Sequence, residues 1–377
     1  MILNFAAALR QLTRQALWRL ANEARPETEY LFARLLPEVR SASYTAESGN
    51  MTVRTTMAGL VGTDSVYPPG GVVVADTFRE GTAKIAIEVP LGEMTLRQIQ
   101  QMLLNQAAQA ALGGNAGSKI DLAEEALNFQ EKVVLQAIRD TMEYLRGEAL
   151  TTFAIDWTFN RKRLQVNYGA PAGHLMTNRT GTAAYGGSAS AFWTDMRAAR
   201  SLLRNQTGIV FVTHPDTLDV VLANTANSLA MVAQDAGGVT VRRYISINGQ
   251  NTFSDDARDT VRIVTYDREG EILDPSTPGA TIRVPFLSRG KILAVAPVGD
   301  TGYRVGQGAT PAADNATALG YTHVGPTMEG DGELGIWSEM YTPQNAPWAL
   351  HGRGAANVLP IIEQPKKLVV LSTDMPA

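Results

Sequence analysis

The stretch from Asp121 to Thr151 constrains this chain more than any other. It contains no proline, and its one glycine, Gly147, lies near its end. Ala, Leu, Glu, Gln, Lys and Arg dominate it, the residues that lose least entropy in a helix. Leu122, Ala126, Phe129, Val133, Ala137 and Ile138 recur mostly at three- and four-residue steps and predict one apolar stripe. Glu124, Glu125, Glu131, Lys132, Arg139, Asp140 and Glu143 fill the expected solvated face. Ser118 and Asp121 are candidate caps for its start. At ~1.5 Å per residue the stretch makes a rod on the order of 45 Å long. A rod of that length serves as a spine on which other parts are hung.

Composition narrows what can surround the spine. The chain has 377 residues, 45% hydrophobic and 19% charged, enough for a sizeable core in two or three domains. Its net charge of −4 argues against a dedicated nucleic-acid binder. There are no cysteines, so disulfides, zinc thiolates and cysteine nucleophiles are excluded. No apolar run of about eighteen residues is present to span a membrane. Arg10, Arg14 and Arg19 interrupt any signal-like apolar block at the start.

Around the spine, apolar extensions alternate with turn clusters. Ile2, Phe5, Leu9, Leu12, Ala16 and Leu20 predict an amphipathic helix that docks against protein. Between Pro26 and Pro37 lies the apolar cluster Tyr30, Leu31, Phe32, Leu35 and Leu36, an extension that must lie across something else. Met51, Val53 and Thr55 alternate with polar residues and predict a strand. A turn cluster through Tyr67, Pro68 and Pro69 follows, then a second strand region from Val72 to Leu91, with Ile85, Ile87 and Val89 alternating. Together these predict a long two-stranded arm. Such an arm is marginal alone in water and needs a surface to lie on, here expected on a neighbouring copy. After a Gln-rich helix over 93–112 and the glycines at 113, 114 and 117 comes the spine.

Beyond the spine, Phe153–Trp157 and Leu164–Tyr168 predict a hairpin whose tip holds Arg161, Lys162 and Arg163. Residues 169–190 read as loop. A helix over 191–206, a strand at Ile209–Val212 and a helix opened by Pro215 start an α/β layer. Further strands are expected at Val239–Ile247, Val261–Tyr266, Thr281–Val284 and Lys291–Ala296. Asp267, Glu269 and Glu271 read as a solvated loop, and residues 298–335 as an extended surface loop. Asn357–Ile362 and Leu368–Leu371 are two closing strands split by Pro365.

No constellation carries catalysis. The four histidines, His174, His214, His323 and His351, are scattered without a metal-ligand spacing. The run Gly302-Tyr303-Arg304-Val305-Gly306-Gln307-Gly308 lacks the Lys-Ser/Thr ending of a phosphate loop. Asp255, Asp256 and Asp259 read as an exposed polar turn, and no Gly-x-Ser-x-Gly elbow exists. No catalytic, cofactor or metal residue is therefore assigned.

The order of parts then carries a resemblance. An apolar N-terminal arm, a long two-stranded loop, a spine, a hairpin, an α/β lobe with glycine-rich loops and a returning strand pair resemble the major capsid proteins of tailed bacteriophages. This is the Hong Kong ninety-seven fold, in its lambda-like major capsid protein E branch. The stretches RGEALTTFAIDWTFNRKRLQVNYG, AFWTDMRAARSLLRNQTGIVFVTHPDTLDVVL, VPFLSRGKILAVAP and IIEQPKKLVVLSTD are similar to that branch's spine end and hairpin, axial entry, late strand and final strand pair.

The resemblance implies an α+β chain with an N-terminal arm (1–47) and an extended loop (48–92). A peripheral domain with the spine (93–190), an axial α/β domain (191–340) and return strands of the peripheral domain (341–377) complete it. It implies a structural protein of the virion that assembles in the bacterial host cytoplasm into hexamers and pentamers enclosing double-stranded DNA. The partners implied are further copies, a separate scaffolding protein, a portal and a decoration protein, with packaged DNA touched weakly on the inner face and no membrane. No residue matches the Lys and Asn through which some members crosslink. Expected contacts between copies are Phe5, Leu9, Leu12, Tyr30, Phe32, Val53, Tyr67, Pro68, Pro69, Ile85, Ile87, Arg161, Arg163, Tyr303 and Arg304. The rivals are an encapsulin-like nanocompartment shell and an α/β enzyme, which would need a pocket of converging polar groups.

Overall fold

The computed structural model describes residues 14–22, 30–54, 72–92, 122–159, 162–203, 209–225, 244–247, 260–273, 281–296, 318–342 and 349–375, with a few isolated positions besides. Helix α1 (Arg14–Asn22) and the short helix α2 (Leu31–Leu35) come first, then strand β1 (Glu38–Arg40). Strands β2 (Thr45–Arg54) and β3 (Val72–Gly81) form a ribbon, and β4 (Ala83–Leu91) follows. The spine runs as α3 (Leu122–Phe129), a π-turn (Gln130–Leu135) and α4 (Gln136–Thr152). The hairpin is β5 (Ala154–Phe159) and β6 (Lys162–Asn167). Next come α5 (Phe192–Leu202), β7 (Val210–Thr213), α6 (Pro215–Ala223), β8 (Tyr244–Ile247) and β9 (Thr260–Thr265). Strands β10 (Glu269–Leu273), β11 (Thr281–Pro285), β12 (Lys291–Val295), β13 (Gly320–Gly325), β14 (Trp337–Tyr341), β15 (Leu350–Ile362) and β16 (Leu368–Ser372) complete the chain.

The spine buries Ala126, Gln130, Val134, Leu135, Ile138, Met142, Leu145, Ala149 and Leu150. The expected stripe included Val133, which is instead 39% exposed. The π-turn explains the difference. It holds more residues per turn than an α-helix, so the four-residue steps 126, 130, 134 and 138 stay on one face and Val133 turns outward. Glu143, expected on the solvated face, is fully buried. The spine ends at Phe153, whose φ of 55° is left-handed, a C-terminal position that glycine usually takes. Burial of its ring and a bond from its N–H to the Ala149 carbonyl (2.9 Å) hold it there.

The spine lies on a five-stranded sheet centred on β15. Strands β13 and β14 pair antiparallel end to end along one side of β15, and β4 pairs along the other. Strand β1 adds in parallel to β13. Gly352 and Gly354 of β15 let the helix come close: a Cβ at Gly352 would press on Gln130 and Phe129, and one at Gly354 on Ile138 and Val134. Gln130 uses this approach to donate from Nε2 to Ser338 Oγ (2.7 Å) and the Arg353 carbonyl (3.0 Å). A second sheet, in the order β16-β12-β7-β9-β8, carries the α/β lobe, with β7, β9 and β8 parallel. Phe192 and Met196 of α5 and Leu218 and Val221 of α6 pack with Phe211, Ile292, Val369 and Leu371.

Several expectations are corrected. The second arm strand was expected to run from Val72 to Leu91. Thr82 divides it: β3 pairs with β2, whereas β4 belongs to the main sheet. Of the alternation at Asp267–Glu271, the part from Glu269 onward is strand β10 paired with β11, and only Asp267 and Arg268 are loop. Within the expected loop 298–335, Gly320–Gly325 is a strand buried at every residue. Its polar side chains hid it, and they are satisfied: Thr322 Oγ1 donates to the Leu36 carbonyl (2.8 Å), and His323 Nε2 bonds the Ser43 carbonyl (2.9 Å). Residues 301–317 of that loop, 239–243, 255–259 and most of 93–112 lie outside the described residues. The pairings also cross the expected domain boundaries. Strands β13 and β14 join the spine's sheet, and β16 joins the α/β sheet.

Candidate subunit interface

The ribbon β2–β3 is a ladder of ten residue pairs, from Thr45 opposite Gly81 to Arg54 opposite Val72. At ~3.4 Å per residue it reaches roughly 30 Å. At its root Ala46 is buried, and both the N–H and the hydroxyl of Thr82 donate to the Tyr44 carbonyl (3.1 and 2.9 Å). It packs on its own body against β15. Its two legs enter the main sheet at opposite margins, one through residues 41–44 into β1, the other through Thr82 into β4.

Beneath the root, residues Tyr30 to Arg40 are clasped to the spine. Glu143 Oε1 accepts from the Phe32 N–H (2.7 Å) and the Tyr266 hydroxyl (2.9 Å), and its Oε2 faces Arg146 Nη1 (3.3 Å). Arg146, 1% exposed, also donates from Nε to Thr322 Oγ1 (2.8 Å) and from Nη2 to Glu38 (3.0 Å). One buried arginine thus ties the arm, the spine and β13 together, and Glu143 adds the α/β lobe. Burial pushes the Glu143 carboxyl up, against the pull of Arg146 and its hydrogen bonds. Burial likewise pushes the Tyr266 hydroxyl up, with Glu143 adding to it. One turn away, the Tyr30 hydroxyl donates to Asp140 (2.6 Å), and the Arg268 guanidinium lies 4.0 Å from the Tyr30 ring centre.

Two surfaces flank this clasp. On the face of the main sheet away from the spine, Arg353 donates from Nε and Nη2 to one oxygen, Glu339 Oε2 (2.8 and 2.5 Å), and stacks over Trp337 and Tyr341 (5.2 and 4.7 Å). Glu88 there accepts from the Tyr341 hydroxyl (2.7 Å) and His351 (2.8 Å), which hold its carboxyl below its ordinary range. On the outer side of the spine a groove of about 360 Å³ runs between the helix and the β10–β11 ribbon. Val133, Ala137, Trp157, Ile272 and Val284 line part of it; Lys132, Glu269, Asp140 and Glu271 line the rest, Asp140 facing Arg268 (4.0 Å) and Glu271 facing Arg283 (3.4 Å). Among the described residues no cluster of His, Asp and Glu is placed to hold a metal ion, and no helix is long and apolar enough to cross a membrane.

The residues expected between copies are placed as follows. Tyr30 and Phe32 are buried in the chain's own core, so the extension lies across its own spine. Ile85 is buried in the same core and Ile87 packs against it, because β4 faces the spine. Val53 stands opposite Val73 near the outer end of the ribbon. Arg163 is exposed and bidentate to Asp156 (2.7 and 2.6 Å), whose carboxyl it holds down. Phe5, Leu9, Leu12, Tyr67, Pro68, Pro69, Arg161, Tyr303 and Arg304 lie outside the described residues. The clasp escaped sequence reasoning, although Arg146 carried a signal: it sits four residues from each of two apolar residues, Met142 and Leu150, both buried in the spine.

No protein-family model matches the sequence, and a search of curated proteins found no match. Solved structures do match. A protein assigned as a prophage capsid protein from E. coli CFT073 superposes with a TM-score of 0.53 at 10% identity, over 96% of this chain and 99% of that one. A phage-related protein from Bordetella bronchiseptica RB50 gives 0.49 at 12% identity, over 96% and 97%. A chain of the satellite phage P4 procapsid gives 0.46 at 9% identity, over 96% and 100%. The first of these shows that the chain has the phage capsid fold, α+β with a spine helix.

Proposed function

We propose that the chain is the major capsid protein of a tailed bacteriophage, a structural subunit that performs no catalysis. Copies assemble into hexamers and pentamers of an icosahedral shell that encloses double-stranded DNA, first in the host cytoplasm and then as the virion. The observation that carries this reading is the ten-pair ribbon, held to its own body at the root. Two strands alone are marginal in water, so such a ribbon gains stability when another surface covers it. Each ~1,000 Å² of apolar contact contributes on the order of 25 kcal/mol gross, before ordering costs. The capsid fold, matched over nearly the whole of both chains, supports the same reading.

Further partners follow from the role: a separate scaffolding protein, a portal and a decoration protein. A net charge of −4 suits a container that must not grip its DNA. Electron microscopy of the purified chain, with analytical ultracentrifugation, tests the proposal. Shells, or hexameric and pentameric rings, are expected. A monomer at high concentration overturns the proposal, and a shell that co-purifies with one cargo enzyme overturns its phage part.

A further inference from the structure

We infer that Glu148 is a proton-operated catch at the joint between the spine and the β5–β6 hairpin. Neutral, its carboxyl is seated and holds the joint. Ionised, it swings into water and lets the joint loosen. The catch belongs to the single chain and does not rest on the shell reading.

The joint is a strained place. The spine runs out at Phe153, whose left-handed φ of 55° is sparsely populated for a residue with a side chain. Strand β5 starts at the next residue. Two side chains brace this turn. Thr152 Oγ1 accepts from the Ala154 N–H (3.2 Å), and Glu148 Oε1 accepts from the Asp156 N–H (2.9 Å).

The seat of Glu148 suits the acid better than the carboxylate. Its Oε2 is sealed from solvent and finds no hydrogen-bond partner among the described residues, a costly place for a charge. It lies one turn from the C-terminal end of the helix, where peptide dipoles disfavour negative charge, and the last turn holds no basic residue. Asp156 carries a like charge, itself paired with Arg163. Tyr144 and Tyr168 also feel Glu148: burial pushes both hydroxyls up and Glu148 adds to each, with Glu80 of the ribbon root adding at Tyr168. Burial pushes the Glu148 carboxyl above its ordinary 4.5, the Asp156 N–H pulls it down, and the Asp156 charge adds to the rise. The folded chain therefore holds this proton more tightly than the unfolded chain. The stability it contributes is fully present below the ordinary value and is lost as pH rises through the folded one.

Hydrogen exchange of the full chain, read by mass spectrometry and corrected for the intrinsic pH dependence of exchange, tests the catch on peptides covering Phe153–Trp157. Sedimentation confirms that the chains compared share one assembly state. Wild-type protection is expected to fall about tenfold between about pH 5 and about pH 8. Glu148→Gln keeps the acceptor and cannot ionise, so its protection is expected to hold across that range. Glu143 titrates in both chains, and the comparison cancels it. Asp156→Asn removes the like charge and is expected to move the midpoint to lower pH. A flat wild-type profile overturns the inference, as does an equal fall in wild type and Glu148→Gln. If Glu148→Gln does not fold, an unmoved midpoint in Asp156→Asn overturns it.

Discussion

Arg146 and Glu143 face each other one helical turn apart at 3.3 Å, and both side chains are sealed from solvent. Arg146 also reaches Glu38, so one guanidinium serves two carboxylates on different elements. The desolvation of such a group is tolerated only while its partners stay in place. Replacing Arg146 with Ala leaves Glu143 buried and unpaired. Urea unfolding at neutral pH is expected to show a loss of about 3–5 kcal/mol. The double variant Glu143→Leu with Arg146→Met is expected to lose less than the sum of its single changes. Additive losses would show that the pair does not act as a unit.

Stability should also carry the signature of Glu143 with pH. Burial raises its carboxyl above the ordinary value of 4.5, so the folded chain holds that proton more tightly than the unfolded chain. Its contribution is fully present below the ordinary value and is lost as pH rises through the folded one. The wild-type chain is therefore expected to lose stability relative to Glu143→Gln from about pH 4.5 upward and then level off. A difference that stays flat across that range, followed by chemical denaturation, contradicts the account.

Gly147 sets the distance between the spine and the α/β lobe. A Cβ there would press into the Phe286 carbonyl oxygen and meet the Phe32 ring at 3.0 Å. Alanine gains ~1 kcal/mol in a helix interior, but overpacking against backbone costs about 1–3 kcal/mol. Gly147→Ala is expected to lower Tm, as read by circular dichroism. A rise in Tm would mean that the lobe can retreat from the spine.

Removing the ribbon should separate folding from assembly. Replacing residues 48–78 with a short turn leaves Ala46 and Thr82 to hold the root. The shortened chain is expected to keep its Tm within a few degrees and to form no shells, as seen by calorimetry and electron microscopy. Normal shells from it would contradict the proposed function.

Sequence periodicity reached the parts whose pattern is local. The spine, the β5–β6 hairpin, the ribbon and the βα entry at Val210–Ala223 all repeat at the period of their own element. It did not reach parts defined by distant partners. Strand β13 reads Gly-Tyr-Thr-His-Val-Gly and is a strand because β1, β15 and Arg146 satisfy its polar groups. Strand β4 continues β3 in sequence, and only the nine-pair ladder with β15 separates them. The π-turn left no composition signal, yet it decides whether Val133 points inward or out. The ribbon was therefore legible, whereas the groove beside Val133 was not.

The two legs of the ribbon run to opposite margins of one sheet, β1 on one side and β4 on the other, with β13 and β15 between. This makes the attachment a bridle. A pull on the outer end of the ribbon would draw on both reins at once and be shared across the ladders between them. Tension on a single rein could peel one strand away bond by bond, whereas tension on both loads the ladders in shear, across many hydrogen bonds together. In the shell proposed above, a pull on the ribbon would therefore be borne by the whole sheet and not by one strand.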